Sequence, residues 1–453
     1  MIAPGLRLRH TWWLLLPPLG AALGVTACSS TDDLSPSPAN DAGQTAPESD
    51  AATAPEVVDG GLDSGDVDVE APAYDFEVKC TAVPCVTRIA ARGGAHACAV
   101  LQGGSVRCWG ANASGQVGRG GDDAAAMPAF VASPVEVAGV SNVVGLSATG
   151  DGEHGTTCVV SGSGEVSCFG SDASGQLGRG EAPSTTPHPE PVELTDLRAK
   201  SVTLAGTFAL AIGTDDRLWS WGANEGFQLA RPTAGDAGTA SAPAHAESIS
   251  FAPRSCAGTA TTSFVVSPDG ELLSWAGATS ETLGRLSSLT RDPVPAAVPL
   301  TEVSRVTAGA AHACALRRGQ IHCWGKNDRG QLGSGMFQNE LFPSRAALPS
   351  DVLAVDVAAG GDDTCIIASN GDVYCWGAND ADQVGDFAGL DQPSPRRIEG
   401  LTEQAVALGV MDRSVCALLR SGAVSCWGDN LLGQLGRGAR DAKLHAPGPV
   451  VFQ

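Results

Sequence analysis

The sequence predicts an all-β fold made of a ring of seven similar units, and three observations support it. A motif that begins with Cys and an aromatic residue recurs as CWGANASGQVG (108–118), CFGSDASGQLG (168–178), CWGKNDRGQLG (323–333), CWGANDADQVG (375–385) and CWGDNLLGQLG (426–436). Its aromatic position occurs seven times, at a mean spacing of 53 residues, in Trp109, Phe169, Trp221, Trp275, Trp324, Trp376 and Trp427. Hairpin signals accompany the motif, and no window of comparable length shows the apolar periodicity of a helix.

The sixth unit shows how each unit is built. Apolar strands are predicted at 352–359, 364–368 and 373–376, and the turn SNGD (369–372) joins the last two. Asn-Gly between apolar runs favours a tight hairpin, because both central residues must take positive φ. A period near 50 residues indicates stacked or radial repeats. Antiparallel units of this size, repeated seven times, predict a β-propeller in which each small sheet is buried against its neighbours.

The recurring glycine and polar positions are interpreted as structural. Gly325, Gly330 and Gly333 let the chain turn tightly and pass close to the next blade. The Gln of the motif is expected to hydrogen-bond that turn, in Gln116, Gln176, Gln331, Gln383 and Gln434. His96 and His312 also occupy equivalent positions in their units. Chemistry that occurs once in a molecule does not arise from positions repeated around a ring.

The segment AGAAHACALRRGQIHCWGKNDRGQLGSG (308–335) resembles the regulator of chromosome condensation repeat. The resemblance covers about residues 86–453 and implies a seven-bladed propeller that contacts another protein through one loop face. Units three and four depart from the pattern. The third keeps only WGAN (221–224) of the motif's first half, and in the fourth Ala276 replaces the motif's Gly. The first unit begins at 86–90 without the Pro-containing strand that precedes most others. We therefore expect the C-terminal strand at 447–451 to complete the first blade and close the ring.

The N-terminal 28 residues have the layout of an export signal. Arg7 and Arg9 precede a short apolar stretch, and VTAC (25–28) ends it with small residues, too short to span a bilayer as a free helix. The stretch resembles a bacterial lipoprotein signal, which implies lipidation of Cys28, anchoring to a membrane, and an outer-membrane or cell-surface location. The alternative is an ordinary signal peptide cut near Ala27, which would release a soluble secreted protein.

The predicted domains are the signal at 1–28, a linker at 29–79 and the propeller at 80–453. The linker is rich in Ser, Pro, Ala and Gly and carries thirteen acidic residues against the single Lys79. Such a segment cannot bury enough apolar surface to offset ordering and is expected to be disordered and extended. The whole chain has a formal net charge of -22, which argues against nucleic-acid binding. A monomer is expected.

Ten of the fourteen cysteines bracket hairpins within single units, as Cys98 with Cys108, Cys158 with Cys168, Cys314 with Cys323, Cys365 with Cys375, and Cys416 with Cys426. Facing positions on adjacent antiparallel strands lie within disulfide range, so five bridges are predicted. Units three and four lose both partners together, having Leu210 with Ser220 and Phe264 with Ser274. Cys80 with Cys85 is the simplest further bridge, which leaves Cys256 buried and free. Metal ligation is less favoured, because no second Cys or His pair sits at ligand spacing within a unit.

Function is expected in what differs between units, above all in the connections at 120–134, 179–198, 231–253 and 335–349. The connection at 179–198 is Pro-rich and is predicted to be an exposed, stiff loop. Glu153 and His154 are the only neighbouring acid and His facing a loop end, and they are interpreted as solvated rather than catalytic. No cofactor is expected. The favoured function is binding an unidentified protein partner on the loop face, and the alternative is an envelope hydrolase of polysaccharide or peptide. Guanine nucleotide exchange, which the family implies, is less favoured because its partner is intracellular.

Overall fold

The computed structural model of the protein describes residues 74–119, 127–231, 238–277, 279–385 and 389–452. The predicted signal at 1–28, the predicted lipidation site Cys28 and most of the predicted linker at 29–79 lie outside these ranges. Among the described residues, none of the helices has the length and apolar composition that crossing a membrane requires.

The described chain is almost entirely β-structure. Its strands are β1 (Val86–Ala90), β2 (His96–Leu101), β3 (Val106–Ala111), β4 (Phe130–Glu136), β5 (Val143–Asp151), β6 (His154–Ser161), β7 (Glu165–Asp172), β8 (Ser184–Leu204), β9 (Phe208–Gly213), β10 (Leu218–Gly222), β11 (Ala240–His245), β12 (Ser255–Gly258), β13 (Thr262–Val266), β14 (Leu272–Ala276), β15 (Asp292–Ala297), β16 (Val303–Ala308), β17 (His312–Arg317), β18 (Gln320–Gly325), β19 (Glu340–Arg345), β20 (Ala354–Gly360), β21 (Asp363–Ala368), β22 (Val373–Gly377), β23 (Gln392–Arg397), β24 (Ala405–Val410), β25 (Ser414–Leu419), β26 (Val424–Gly428) and β27 (His445–Pro449). A single turn of helix, α1 (Ser280–Leu283), lies between β14 and β15.

These strands form six antiparallel sheets within the described residues, five of four strands and one of seven. The seven-stranded sheet contains two blades, because β8 pairs with β7 through its first part and with β9 through its last six residues. Counting β8 in both blades gives seven units of four strands. The chain therefore forms the predicted propeller, with blades 2 and 3 joined by one continuous strand.

The fourth strand of each blade explains the Pro-rich connections. Each of these strands pairs with another strand on one side only. In β8 this holds for the first part, which contains its prolines and pairs with β7. Pro lacks an N–H and is tolerated where the outer side of the strand needs no ladder bond. The prediction of a loop at 179–198 was therefore wrong, since most of it is strand β8, although the predicted exposure of this segment is confirmed for most of its residues.

The hydrophobic core lies between blades rather than within them. Seven clusters of buried apolar side chains are present in the described chain, and each combines residues of two neighbouring blades. One of them joins Trp109 of blade 1 to Leu435 and Val450 of blade 7. Seven interfaces for seven blades mean that the ring is closed, and each blade is stabilised mainly by its neighbours.

The predicted route of closure was wrong. Strand β27 pairs with β26 and completes the last blade, while blade 1 receives its fourth strand from its own β4. The ring closes instead through the inner strands, where Val410 N–H donates to Ala91 O and Gly93 N–H donates to Val410 O. The C-terminus still reaches blade 1, because the Phe452 ring packs edge-on against Trp109 at 5.9 Å.

The end of the predicted linker is packed on the propeller. Tyr74 Oη donates to Ala405 O at 2.7 Å, and Arg420 forms an ion pair with Asp75. The backbone N–H of Lys79 donates to Arg420 O. Residues 74–79 therefore belong with the folded domain, and the boundary predicted at 80 was too late. The disordered state predicted for the rest of the linker lies outside the described residues.

Candidate functional site

The meander of each blade gives the propeller two loop faces. The connections between first and second strands and between third and fourth strands lie on one side, which we call the channel-mouth face. The second-to-third strand hairpins and the links between blades lie on the other side, which we call the hairpin face. Residues 74–85 contact the hairpin face of blade 7, where Thr81 N–H donates to Ser421 O.

Most repeated polar residues are used by the scaffold. In six blades the Gln of the turn accepts, through Oε1, the backbone N–H two residues before it, as Gln331 does from Arg329 at 2.9 Å. In five of these six blades the main-chain oxygen of the Gln accepts the indole N–H of the next blade, as in Trp376 Nε1 to Gln331 O at 2.9 Å. The predicted role of this Gln in the turn is confirmed, and its backbone links neighbouring blades as well.

His96 and His312 are buried and link blades. The hydroxyl of Thr364 donates to Gln331 O, so its oxygen accepts from His312 Nε2–H at 2.8 Å. Thr157 does the same for His96 at 3.0 Å. Burial lowers the pKa of His96 to about 4 and that of His312 to about 3, so both imidazoles are neutral. The structural interpretation of these histidines agrees with this geometry.

Disulfides cross the central hairpin of five blades, between Cys98 and Cys108, Cys158 and Cys168, Cys314 and Cys323, Cys365 and Cys375, and Cys416 and Cys426. Their Cα atoms lie 4.0 to 4.1 Å apart, because the partners face each other directly in the ladder. A sixth bridge joins Cys80 to Cys85. Leu210 faces Ser220 and Phe264 faces Ser274 at the same register in blades 3 and 4. Cys256 is buried and unbridged, and burial raises the pKa of its thiol to about 11.

A cavity of about 660 Å³ opens at the centre of the channel-mouth face. Its lining comes from the first-to-second strand connections of all seven blades and from the Gly-Gln turns of blades 1 and 2. Small and hydroxyl-bearing residues predominate, with Arg92, Asp151, His154 and Asp412 as the titratable members. The described residues contain no group of His, Cys, Asp and Glu side chains arranged to hold a metal ion.

Arg92 crosses the channel and joins four blades. From blade 1 its Nε donates to Ala308 O at 2.8 Å, its Nη1 to Leu204 O at 2.7 Å and its Nη2 to Gly258 O. These carbonyls end the inner strands of blades 5, 3 and 4, at positions equivalent to Arg92 itself. Burial lowers the pKa of Arg92 to about 10, which leaves the guanidinium charged at neutral pH.

Sequence reasoning missed Arg92, although a signal was present. Arg92 lies four residues before His96, and Ala308 lies four residues before His312 in the matching unit. The units of blades 3, 4, 6 and 7 have small or apolar residues at this place. A charged residue that replaces a small one at a single copy of a repeat marks a position with its own role.

The predicted acid and His neighbours of blade 2 are separated by the structure. His154 lines the cavity, where its Nδ1 lies 2.8 Å from Ser114 Oγ of blade 1. Glu153 contributes only its carbonyl, which accepts from Gln116 Nε2. Within the described ranges no carboxylate orients His154, as a Ser-His-Asp arrangement would require.

Two carboxylates lie on the cavity wall near the junction of blades 7, 1 and 2. Asp412 Oδ2 accepts Gly152 N–H at 3.3 Å. Burial raises the pKa of Asp412, and the nearby charges of Asp151 and Asp362 act in the same direction. The lining of the cavity therefore contains both a guanidinium and acidic groups.

An ion-pair chain crosses blades 5 to 7 on the same face. Arg329 binds Asp391 at 2.5 Å and Asp380 at 3.2 Å, and Asp380 also pairs with Arg413. The carboxylates of Asp391 and Asp380 raise the pKa of Arg329. Single exposed pairs stabilise little, but a chain of shared partners holds the loops of successive blades in one arrangement.

Exposed apolar side chains accompany this ion-pair chain. Seven of the large exposed hydrophobic residues of the described chain belong to the third-to-fourth strand connections of blades 4 to 7. We call this set the apolar arc, formed by Leu286, Leu289, Met336, Phe337, Leu390, Leu431 and Leu444. Leu286, Met336 and Leu390 are 71%, 61% and 68% exposed. Apolar side chains with a polar surround are typical of a protein-binding surface.

Comparison with known proteins places these features in a family context. The model of the regulator of chromosome condensation (RCC1) repeat matches residues 318–367, and a second model of the same repeat matches 86–116, 303–331 and 354–383. The ultraviolet-B receptor UVR8 of Arabidopsis thaliana is 30% identical over 365 residues, 79% of this chain and 80% of the relative. The mouse E3 ubiquitin-protein ligase HERC2 is 25% identical over 275 residues, 58% of this chain but 6% of the ligase.

A solved structure of similar fold is that of Prp20p from Saccharomyces cerevisiae, reported with its binding to Gsp1p and histones. It superposes with a TM-score of 0.65 at 18% identity, over 77% of this chain and 86% of that one. The likeness extends across the ring of blades.

Proposed function

Because the chain belongs to the regulator of chromosome condensation repeat family of β-propellers, we propose that it is a rigid ring that binds another protein. We also propose, from its N-terminal sequence, that it is exported and anchored to a bacterial membrane by lipid at Cys28. The partner contacts the channel-mouth face of blades 4 to 7. The related Prp20p, with its binding to Gsp1p and histones, supports protein binding as a use of this fold.

The observation that carries the proposal is the apolar arc. Leu, Met and Phe side chains are usually buried in a protein core, yet these seven are exposed on the surface of consecutive blades. Burial of apolar area is favourable by roughly 25 cal/mol per Å², so a partner that covers the arc and removes these side chains from water gains binding free energy. The ion-pair chain beside it supplies fixed charges for specificity.

The compartment is supported by sulfur chemistry. Bridged hairpins persist in oxidising surroundings, and six disulfides join cysteines of the described residues. Residues 74–85 contact the hairpin face, so a tether that continues from Tyr74 starts on the side opposite the partner. Export also makes exchange on an intracellular GTPase a less favoured function.

Photo-crosslinking in cells tests the binding face. A photoreactive amino acid at Met336 is expected to give a discrete protein adduct with the full-length chain. The matched position is Val83, which is 97% exposed on the hairpin face, opposite the arc. Equal adducts from both positions, or none from Met336, would contradict the proposed face.

Metabolic labelling tests the anchor. A fatty-acid analogue is expected to label the wild-type chain and not the Cys28→Ala variant, because the thiol carries the lipid. Label that persists in the variant would instead favour another anchor site. A wild-type chain that is unlabelled and released into the medium would support the ordinary signal peptide.

A hydrolase is the second candidate, because Ser114 Oγ and His154 Nδ1 lie 2.8 Å apart at the cavity wall. A nucleophile beside a base is the minimum that acyl transfer needs. Turnover of ester or peptide substrates that is lost in both Ser114→Ala and His154→Gln would establish it. Absence of turnover alongside a captured stoichiometric partner would leave binding as the function.

A further inference from the structure

The channel-mouth cavity has the size and the lining of a small-molecule site. Its volume of about 660 Å³ lies inside the range of roughly 300 to 1,000 Å³ that is usual for ligand pockets. Thr149, Thr156, Thr207, Ser171 and Gln176 supply hydroxyl and amide groups around it. This cavity is separate from the apolar arc, whose residues do not line it.

The lining of the cavity includes a cation, Arg92, that has no anionic partner among the described residues. A guanidinium has five N–H groups, and Arg92 uses three of its donors on the carbonyls of Ala308, Leu204 and Gly258. Among the described residues, no carboxylate lies within ion-pair distance of Arg92. Two N–H groups of a charged, largely buried side chain thus remain for a ligand, and a carboxylate forms the strongest hydrogen bonds with them.

The wall of the same cavity has the opposite charge. Asp412 and Asp151 both line it, and Asp412 is held by the N–H of Gly152. A simple anion would be attracted by Arg92 but repelled by these two carboxylates. A simple cation would meet the reverse. A ligand that carries both signs satisfies the guanidinium and the carboxylates together.

We propose that the channel-mouth cavity binds a small zwitterion, an amino acid or a short peptide with both termini free. Its carboxylate meets the guanidinium of Arg92, and its ammonium meets Asp412 and Asp151. The hydroxyl groups of the Thr and Ser side chains bind the peptide amides between them. This site is independent of the protein partner proposed for blades 4 to 7.

Equilibrium dialysis of the full chain tests this site. The probes are a pool of tripeptides with free termini, the same pool amidated at the C-terminus, and the same pool acetylated at the N-terminus, each quantified by mass spectrometry. The free pool is expected to be retained at least tenfold better than either blocked pool, because each block removes one charge-assisted contact. Equal retention of the three pools, or retention of none at millimolar concentration, would overturn the proposal.

Variants locate the binding within the chain. Ala310 is exposed on the cavity wall and is not among the residues that Arg92 hydrogen-bonds, so Ala310→Trp is expected to fill the mouth and to leave the three Arg92 bonds in place. It is expected to lower tripeptide retention tenfold or more. Val83→Trp is the matched control, since Val83 is 97% exposed on the hairpin face. Retention that survives Ala310→Trp, in a chain whose disulfide map and circular dichroism are unchanged, would exclude this cavity.

The charge assignment has its own test. Asp412→Asn removes the negative partner of the ammonium, so the preference for free over acetylated tripeptides is expected to fall severalfold while discrimination against the amidated pool persists. Arg92→Lys keeps the charge but loses the planar geometry and is expected to weaken discrimination against the amidated pool. An unchanged preference in both variants would contradict the assigned polarity.

Discussion

At the residue scale, Arg92 joins blade 1 to blades 3, 4 and 5 through the carbonyls of Leu204, Gly258 and Ala308. The inner strands of a propeller end around a common axis, and no further strand pairs with their last carbonyl groups on the channel side. One long cationic side chain satisfies three of them at once. A buried carbonyl that loses its donor costs free energy, whereas one that reaches water does not.

We expect Arg92→Met to lower the free energy of unfolding by about 3 kcal/mol, because three carbonyls lose a charged donor and water in the cavity replaces part of it. Chemical denaturation followed by circular dichroism measures the change. Arg88→Met is the matched control, since Arg88 lies in the same strand β1 and is exposed. Equal small losses in the two variants would show that the carbonyls are satisfied without Arg92.

The buried histidines predict how stability depends on pH. The pKa of His312 is lowered to about 3, below the ordinary 6.5 of the unfolded chain, so below pH 6.5 the unfolded state binds a proton that the folded state excludes. Stability from this group is complete above pH 6.5 and is lost as pH falls toward 3, by up to about 1.4 kcal/mol per pH unit.

His312→Gln is therefore expected to flatten the loss of stability between pH 6.5 and pH 4 relative to wild type, measured by denaturant unfolding at several pH values. Burial raises the pKa of Asp363 and Asp356, and these groups change stability in the opposite direction. Comparison of the two chains cancels that contribution. Parallel curves for variant and wild type would mean that His312 protonates in the folded state.

At the element scale, the hairpin disulfides stabilise chiefly by restricting the unfolded chain. Cys365 and Cys375 close a loop of about ten residues, for which the chain-entropy model gives about 3 kcal/mol. We expect the double variant Cys365→Ala, Cys375→Ala to lose about that amount in denaturant unfolding. The difference from wild type should vanish after both chains are fully reduced, and a difference that persists would assign it to packing.

The fourth strands show how far local patterns extend. Asn-Gly turns and apolar runs predicted the inner three strands of blade 6 to within two residues, because those strands are buried on both faces. The Pro-rich fourth strands give no such pattern, since they pair on one side and have few apolar residues. Strand β8 was therefore taken for a loop, although its partner β7 specifies it as a strand.

At the scale of the whole molecule, the chain end stabilises the junction of blades 7 and 1. Removal of residues 445–453 takes away strand β27 and the contacts of Val450 and Phe452 with Trp109. We expect the melting temperature to fall by several degrees and the amides of β26 to lose protection in hydrogen exchange. Retained protection of β3 and β4 would agree with this pairing. Loss of protection confined to the strands of blade 1 would instead support the predicted closure, in which the C-terminal strand completes blade 1.

The family, the seven units and the paired cysteines could be predicted from the sequence alone. They recur along the chain, so each copy of the motif can be compared with the others. The path of ring closure, the continuity of blades 2 and 3 through β8, the cavity and the role of Arg92 could not be predicted in this way. Each of these depends on groups more than a hundred residues apart, or on a strand whose identity comes from its neighbour. Local periodicity records which face of a strand is buried, but a contact across the axis exists only after seven blades have packed into a circle.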